Sequence, residues 1–396
     1  MTTRDRWLLP EGIEETLPPE ARRLESLRRA VLDLFERWGY ALIMPPLVEF
    51  LDSLLTGVGR DMDLQTFKVT DQLSGRLMGI RADITPQAAR IDAHYLRAGH
   101  AQRLCYLGTV LHTRPAALAG TREPLKLGAE LFGHAGPESD AEVLALMLTT
   151  LALTGIDNAH VDLGHVGVFD GLIAHAGLNG ARKEELLETV ERRARSEVEA
   201  LLAGWNVAEQ DRRRIVALLE LSGGAEVLAR ARALYAPVAP ALAAIDNLEA
   251  IEAHVRCMVP KARLHFDLAE LGGYRYYTGA TFSAYVPGEG RAIANGGRYD
   301  GIGRAFGRDR AATGFGADLR RLLKVAGPPP VNVGGILAPA GRDPALYAEI
   351  ARLRAAGERV VQQLPGDRGT AADFECDRLL RNVNGRWQVV PSETAG

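Results

Sequence analysis

The chain has 396 residues, 47% hydrophobic and 24% charged, with a formal charge of −3. That length supports two or three domains with a proper core. The near-neutral total gives no global attraction to nucleic acid, so no nucleic-acid partner is expected, and no apolar run reaches the ~20 residues of a membrane span. The start is charged and proline-broken, unlike a signal peptide. Cys105, Cys257 and Cys376 are widely spaced and odd in number. They read as reduced, buried thiols of a cytosolic protein, not as a disulfide frame or a zinc site.

Residues 20–38 place Leu24, Leu27, Val31, Leu34, Phe35 and Trp38 at helical spacing. Gly39 stops that helix, a buried strand follows, and Pro45-Pro46 ends the strand. Two strands are expected at Phe67–Asp71 and Gly79–Thr85 around a Ser-Gly turn, then a helix with Thr85 as N-cap and Pro86 at its first position. Alternation puts Arg81, Asp83 and Thr85 on one face of the strand end. A carboxylate beside a hydroxyl suits an ammonium ligand, while a plain Arg81–Asp83 pair or a helix cap fits the same residues. Residues 103–133 read as strand, loop and return strand, and Asp140–Thr154 as an apolar helix. In the strand at 160–165, His160 and Asp162 share a face and His165 takes the other, which argues against a metal site. Residues 171–256 are rich in Arg, Glu, Ala and Leu and read as a helical insertion with solvated charge runs.

The stretch 270–322 holds three glycine-hinged polar elements. Tyr274 to Phe282 alternates aromatic and small residues as a strand does. Gly296-Gly297-Arg298-Tyr299-Asp300-Gly301 reads as a tight turn, and Gly314 leads into an amphipathic segment with Arg320 and Arg321. Together they suit either the floor of a pocket for a small polar ligand or a hairpin-rich sheet whose glycines only serve turns. After Pro328-Pro329-Pro330, a strand (Val333–Leu337), a helix (Asp343–Ala356), a strand (Arg359–Gln363) and a weak tail around Trp387 are expected.

These segments resemble the class II aminoacyl-tRNA synthetases, and among them the histidyl-tRNA synthetases. The helix and proline-ended strand at 20–46 look like motif 1, the homodimer seam of that family. Gly79-Ile80-Arg81-Ala82-Asp83-Ile84-Thr85 resembles the element that holds the amino group of histidine, with Asp83 in the place of a glutamate. Gly128-Ala129-Glu130-Leu131-Phe132-Gly133 resembles the return strand of motif 2. Tyr276-Tyr277, the Gly-Gly-Arg-Tyr-Asp-Gly run and Gly314–Arg321 resemble the histidine-specific signatures and motif 3.

The resemblance implies an α+β fold: an antiparallel sheet flanked by helices over 1–170 and 257–326, a helical insertion at 171–256, and a short α/β region at 331–396. It implies a histidine-like pocket of Asp83, Thr85, Glu130, Tyr276, Tyr277 and Arg298, and a vestigial ATP site of His112, Arg114 and Arg321. Two departures matter. The phosphate-clamping arginine of motif 2 is replaced by His112, with Arg114 as a displaced substitute, and the arginine that contacts carboxylate and phosphate is replaced by Gly272. Losing one preorganised cation raises an adenylation barrier by on the order of 3 kcal/mol.

With a C-terminal region also too short for an anticodon-reading domain, the chain resembles the non-catalytic paralogues of these synthetases, the regulatory subunits of ATP phosphoribosyltransferase. That implies no cofactor, a homodimer within a hetero-oligomer, a short-form catalytic partner at the first step of histidine biosynthesis, and histidine as a candidate effector. The alternatives are an active histidyl-tRNA synthetase and a kinase-regulating or tRNA-sensing paralogue.

Overall fold

The computed structural model describes residues 7–57, 60–115, 120–327 and 334–392. They form two compact units divided between Ala326 and Gly327. The Pro328–Pro330 run and Val333 lie outside the described residues.

The first unit begins with α1 (Glu20–Arg37), β1 (Ala41–Leu42), β2 (Val48–Phe50), α2 (Leu51–Leu54), α3 (Arg60–Gln65), β3 (Phe67–Thr70) and β4 (Leu77–Ile80). Next, α4 (Thr85–Arg90) runs into a π-helical turn (Ile91–Leu96), followed by β5 (Gln102–Thr109), β6 (Leu125–Phe132), α5 (Pro137–Leu153) and β7 (His160–His165). The mainly helical stretch is α6 (Val166–His175), α7 (Gly180–Glu191), α8 (Arg195–Gly204), α9 (Glu209–Ala217), β8 (Ser222–Gly223), α10 (Glu226–Leu234) and α11 (Ala239–Met258). The unit closes with β9 (Leu264–Asp267), β10 (Ala280–Tyr285), β11 (Ala294–Arg298), β12 (Ala312–Asp318) and α12 (Leu319–Val325).

Nine strands form one sheet in the order β1-β5-β6-β12-β11-β10-β7-β9-β8. It is antiparallel from β5 through β7, with parallel pairs at β1–β5 and β7–β9. Strand period decides which face does what. On β6, Leu127, Ala129 and Leu131 are buried in the large core with α1 and α5. Lys126, Gly128 and Glu130 alternate onto the other face. Phe315 of β12 follows the first set, meeting Phe35 of α1 edge-on at 6.0 Å between ring centroids, and Gly314 and Gly316 follow the second. A smaller core of Ile84, Ala88, Ala89, Leu104, Tyr106, Phe132 and Tyr299 covers that second face.

Helix α1 forms because its apolar residues fall on one stripe, of which Leu24, Val31, Leu34 and Phe35 are buried. The helices from α7 to α11 contribute Leu186, Val198, Ile215, Leu228 and Leu248 to the same core as Val161, Leu163 and Phe266 of the sheet. They therefore share their core with the sheet. A separate three-stranded sheet, β2-β4-β3, stands beside the main one.

Four local expectations are corrected. The strand after Gly39 is the short β1, exposed and not buried, and Cys257 is exposed while Cys105 and Cys376 are buried. Residues 272–276 form a turn, not a strand: Gly273 has φ +77°, and its carbonyl accepts from both Tyr276 and Tyr277 N–H. Strand β10 starts only at Ala280. Conversely, Gly296 and Gly297 lie within β11, and the turn comes after them at Asp300-Gly301.

In the second unit, β13 (Ile336–Ala338), α13 (Pro344–Ala355), β14 (Val360–Gln362), β15 (Arg378–Val383) and β16 (Arg386–Pro391) form a four-stranded sheet with one helix. Asp343 caps α13 by accepting from Ala345 N–H. The expected weak tail is a β-hairpin, β15–β16, turned by Asn384-Gly385 with φ of +52° and +80°. That dipeptide is a strong hairpin signal. Among the described residues, no helix is long and apolar enough to cross a membrane.

Candidate functional site

The second face of the large sheet holds a cavity of about 120 Å³. Its floor is β6, β12 and β11, where Lys126, Glu130, Gly314, Gly316, Asn295 and Gly296 line it. Its walls are Asp83 and Thr85 at the start of α4, and Tyr276, Tyr277 and Tyr299. Glycines in mid-strand mark places where something must come close to the backbone. A Cβ at Gly314 would overlap the Glu130 carboxylate, and one at Gly316 would sit 2.8 Å from Lys126 Cε.

Glu130 is buried at the centre. Oε1 accepts from Thr85 Oγ1 at 2.9 Å and from the Tyr106 hydroxyl at 2.9 Å, and Oε2 accepts from the Tyr299 hydroxyl. Burial pushes its carboxyl up to about 7, against the pull of those three donors and with the nearby Asp83 adding to the rise. A carboxylate offers about four lone-pair sites, so these donors leave one acceptor direction for a ligand. Burial and the same carboxylate also push the Tyr106 and Tyr299 hydroxyls well above their usual range. Tyr276 stacks on Tyr299 at 5.0 Å and meets Tyr277 edge-on at 5.3 Å.

Asp83 does two jobs. Oδ1 accepts from Ile84 N–H at 2.6 Å and from Thr85 N–H at 3.4 Å, the two residues that open α4. Oδ2 lies 3.3 Å from Lys126 Nζ. The expected alternation of Arg81, Asp83 and Thr85 along a strand does not occur, because β4 ends at Ile80. A side chain that bonds its own neighbouring N–H groups competes with the strand ladder, and here it wins. Thr85 is accordingly the first residue of the helix, not its cap, and its hydroxyl is free to face Glu130. Arg81 is buried elsewhere, donating to the Pro45 carbonyl at 2.8 Å and the Thr109 carbonyl at 3.0 Å.

Five of the six expected pocket residues, Asp83, Thr85, Glu130, Tyr276 and Tyr277, are thus brought together. Arg298 is not among the lining residues. Its guanidinium ties β11 to the start of α5 through Asp140, Ser139 and the carbonyls of His134 and Gly136. His112 donates Nε2–H to the Ala82 carbonyl at 2.9 Å, which fixes its tautomer. Arg114 is exposed on the β5–β6 loop. Arg321, on α12, holds the loop before β11 through the Ala292 carbonyl at 2.6 Å and Glu289 at 2.9 Å. None of these three lines the cavity. Sequence reasoning missed Lys126 as a site residue, and had Tyr299 only as part of a candidate pocket-floor element. The signal for Lys126 was strand parity, four residues before Glu130 and on the same face.

A family described as histidyl-tRNA synthetase matches residues 12–322, and the ATP phosphoribosyltransferase subunit HisZ C-terminal domain matches residues 333–390. An ATP phosphoribosyltransferase regulatory subunit of Thioalkalivibrio sulfidiphilus is 53% identical over 392 residues, covering 98% of this chain and 99% of that protein. The chain belongs to the ATP phosphoribosyltransferase regulatory subunit family. A Bacillus halodurans structure described as an ATP phosphoribosyltransferase regulatory subunit/histidyl-tRNA synthetase superposes with a TM-score of 0.81 at 27% identity, covering 92% of this chain and 95% of that one. A histidyl-tRNA synthetase from a Nostoc species, at 19% identity, shares the fold with a TM-score of 0.81 over 97% of each chain. The α+β synthetase-like fold is therefore that of a regulatory subunit, and the synthetase reading is the less supported one.

Proposed function

We propose that this regulatory subunit uses the cavity on β6, β11 and β12 to bind histidine, and that it activates a short-form catalytic ATP phosphoribosyltransferase subunit and relays feedback inhibition to it. The observation that carries the reading is the convergence of Asp83, Thr85 and Glu130 around one small cavity under a tyrosine stack. Asp83 is suited to a ligand ammonium, and the spare acceptor of Glu130 to an imidazole N–H. Of the three candidate ATP-site residues, His112 is committed to the Ala82 carbonyl and Arg321 to its loop, and Arg114 is exposed on the β5–β6 loop. Adenylation needs preorganised positive charge where the α-phosphate reacts, so the chain acts without synthetase chemistry of its own. Feedback requires that histidine bind the inhibited arrangement more tightly than the active one.

The subunit pairs with a second copy of itself through the motif-1-like segment, where Leu42, Met44 and Leu47 are exposed, and through the open face of the three-stranded sheet that follows it. Val48, Phe50 and Val69 are exposed there, next to Tyr95 at 70% exposure, and a groove of about 570 Å³ runs between Phe50, Met78, Tyr95 and Phe306. An apolar patch of this kind marks an interaction surface.

Two measurements test the reading. Calorimetry of histidine with the wild type and Asp83→Ala should show affinity lost by about ten- to a hundredfold in the variant; equal affinities reject the pocket. Co-purification with the short catalytic subunit, with phosphoribosyl transfer assayed in the presence and absence of this chain, should show activation. A catalytic subunit indifferent to the chain rejects the partnership.

A further inference from the structure

An α-amino acid is a zwitterion, and the cavity has an acceptor side for its ammonium. The carboxylate side is the harder question, because Gly272 brings no cation and neither Arg298 nor Arg321 lines the site. Among the described lining residues the charged groups are two carboxylates, Asp83 and Glu130, and one cation, Lys126. Lys126 stands on the same face of β6 as Glu130, and its ammonium rests 3.3 Å from Asp83 Oδ2. Both members of the pair are partly shielded, with side-chain exposures of 27% and 22%. The space the lysine stem occupies exists because position 316 on the neighbouring strand is glycine.

We infer that Lys126 is the carboxylate-binding, specificity-determining residue of this pocket, and that the Asp83–Lys126 ion pair is a stand-in that a zwitterionic amino acid opens and replaces. This rests on the reading of the cavity as an amino-acid site. Without ligand, the two side chains neutralise each other. With ligand, the incoming ammonium takes Asp83 and the incoming carboxylate takes Lys126, so each charge exchanges one partner for another and none is stranded in a partly dry site. A ligand carrying only one of the two charges breaks the pair without repairing it. Histamine, which lacks the carboxylate, leaves the lysine unpaired beside a second cation. Imidazolelactate, which lacks the ammonium, leaves Asp83 unpaired beside a second anion. The pair therefore rejects both by the charge it strands.

The test is isothermal titration of the full-length protein with histidine, histamine and imidazolelactate, using the wild type, Lys126→Met, Lys126→Arg and Asp83→Asn. The wild type should bind histidine at least about tenfold more tightly than either analogue. Lys126→Met should lose about ten- to a hundredfold for histidine while binding histamine as well as or better than the wild type, and that retained histamine binding also demonstrates a folded pocket. Lys126→Arg should recover most of the histidine affinity, and Asp83→Asn should weaken histidine and histamine alike. Histidine binding that is tight in the wild type and unchanged in Lys126→Met overturns this inference and leaves the pocket standing. No histidine binding to the wild type removes the pocket and the inference together.

Discussion

Arg298 and Asp140 lie side by side beneath the sheet, Nη2 and Nε each 3.0 Å from one carboxylate oxygen, with the aspartate side chain fully buried. The same guanidinium satisfies Ser139 Oγ at 2.8 Å and two backbone carbonyls at the mouth of α5. This is a structural strut, and it fixes where β11 enters the site.

Removing one partner from such a pair strands a buried charge, which costs about 3–5 kcal/mol. Arg298→Met should therefore lower the unfolding free energy in urea by that amount. The double change Arg298→Met with Asp140→Leu should cost clearly less than the single one, because no charge is left behind. A single variant within about 1 kcal/mol of the wild type would contradict the strut.

Glu130 makes stability depend on pH. Its carboxyl is raised from 4.5 to about 7 by burial, so the native state holds the proton more tightly than the unfolded chain does. The associated stability is fully present below pH 4.5 and is lost as pH rises through 7; linkage puts the loss between pH 5 and pH 8 at roughly 2–3 kcal/mol. Glu130→Gln removes the titrating group. The difference in unfolding free energy between wild type and Glu130→Gln should move against the wild type by roughly this amount from pH 5 to pH 8. A difference constant over that range would mean that Glu130 titrates normally.

The open face of β2, β3 and β4 should hold two copies together. Val69→Glu places a charge among Val48, Phe50 and Met78 on the face that strand pairing gives it. Sedimentation velocity should show the wild type as a dimer and Val69→Glu as a monomer with unchanged circular dichroism. A wild type that is monomeric at micromolar concentration counts against the surface.

Much of this molecule is legible before folding because apolar periodicity is local. The stripe of α1, the paired strands β5 and β6 and the apolar α5 each announce themselves within a short window. So does Glu130, which sits in a distinctive Gly-x-Glu-x-Phe-Gly run. What stayed hidden depends on partners distant in sequence. Arg298 sits in the same short motif as the cavity residue Tyr299, but Arg298 is the last residue of β11 and Tyr299 lies beyond it, and only the register with β12 and the placement of α5 decide where the guanidinium goes. The turn at 272–276 has strand-like composition, and the positive φ of Gly273 overrides it. Lys126 looks like an ordinary surface lysine until Asp83 arrives from 43 residues away.

The alternation along β6 has a further consequence. Leu127, Ala129 and Leu131 are needed for the fold whatever the protein does, and a slip of one residue would turn every one of them to the wrong side. Any selection that merely keeps the protein folded therefore keeps residues 126, 128 and 130 presented, in fixed order and spacing, to the opposite compartment. The face that carries the cavity is thus held in place by the demands of folding alone, whatever ligand it meets.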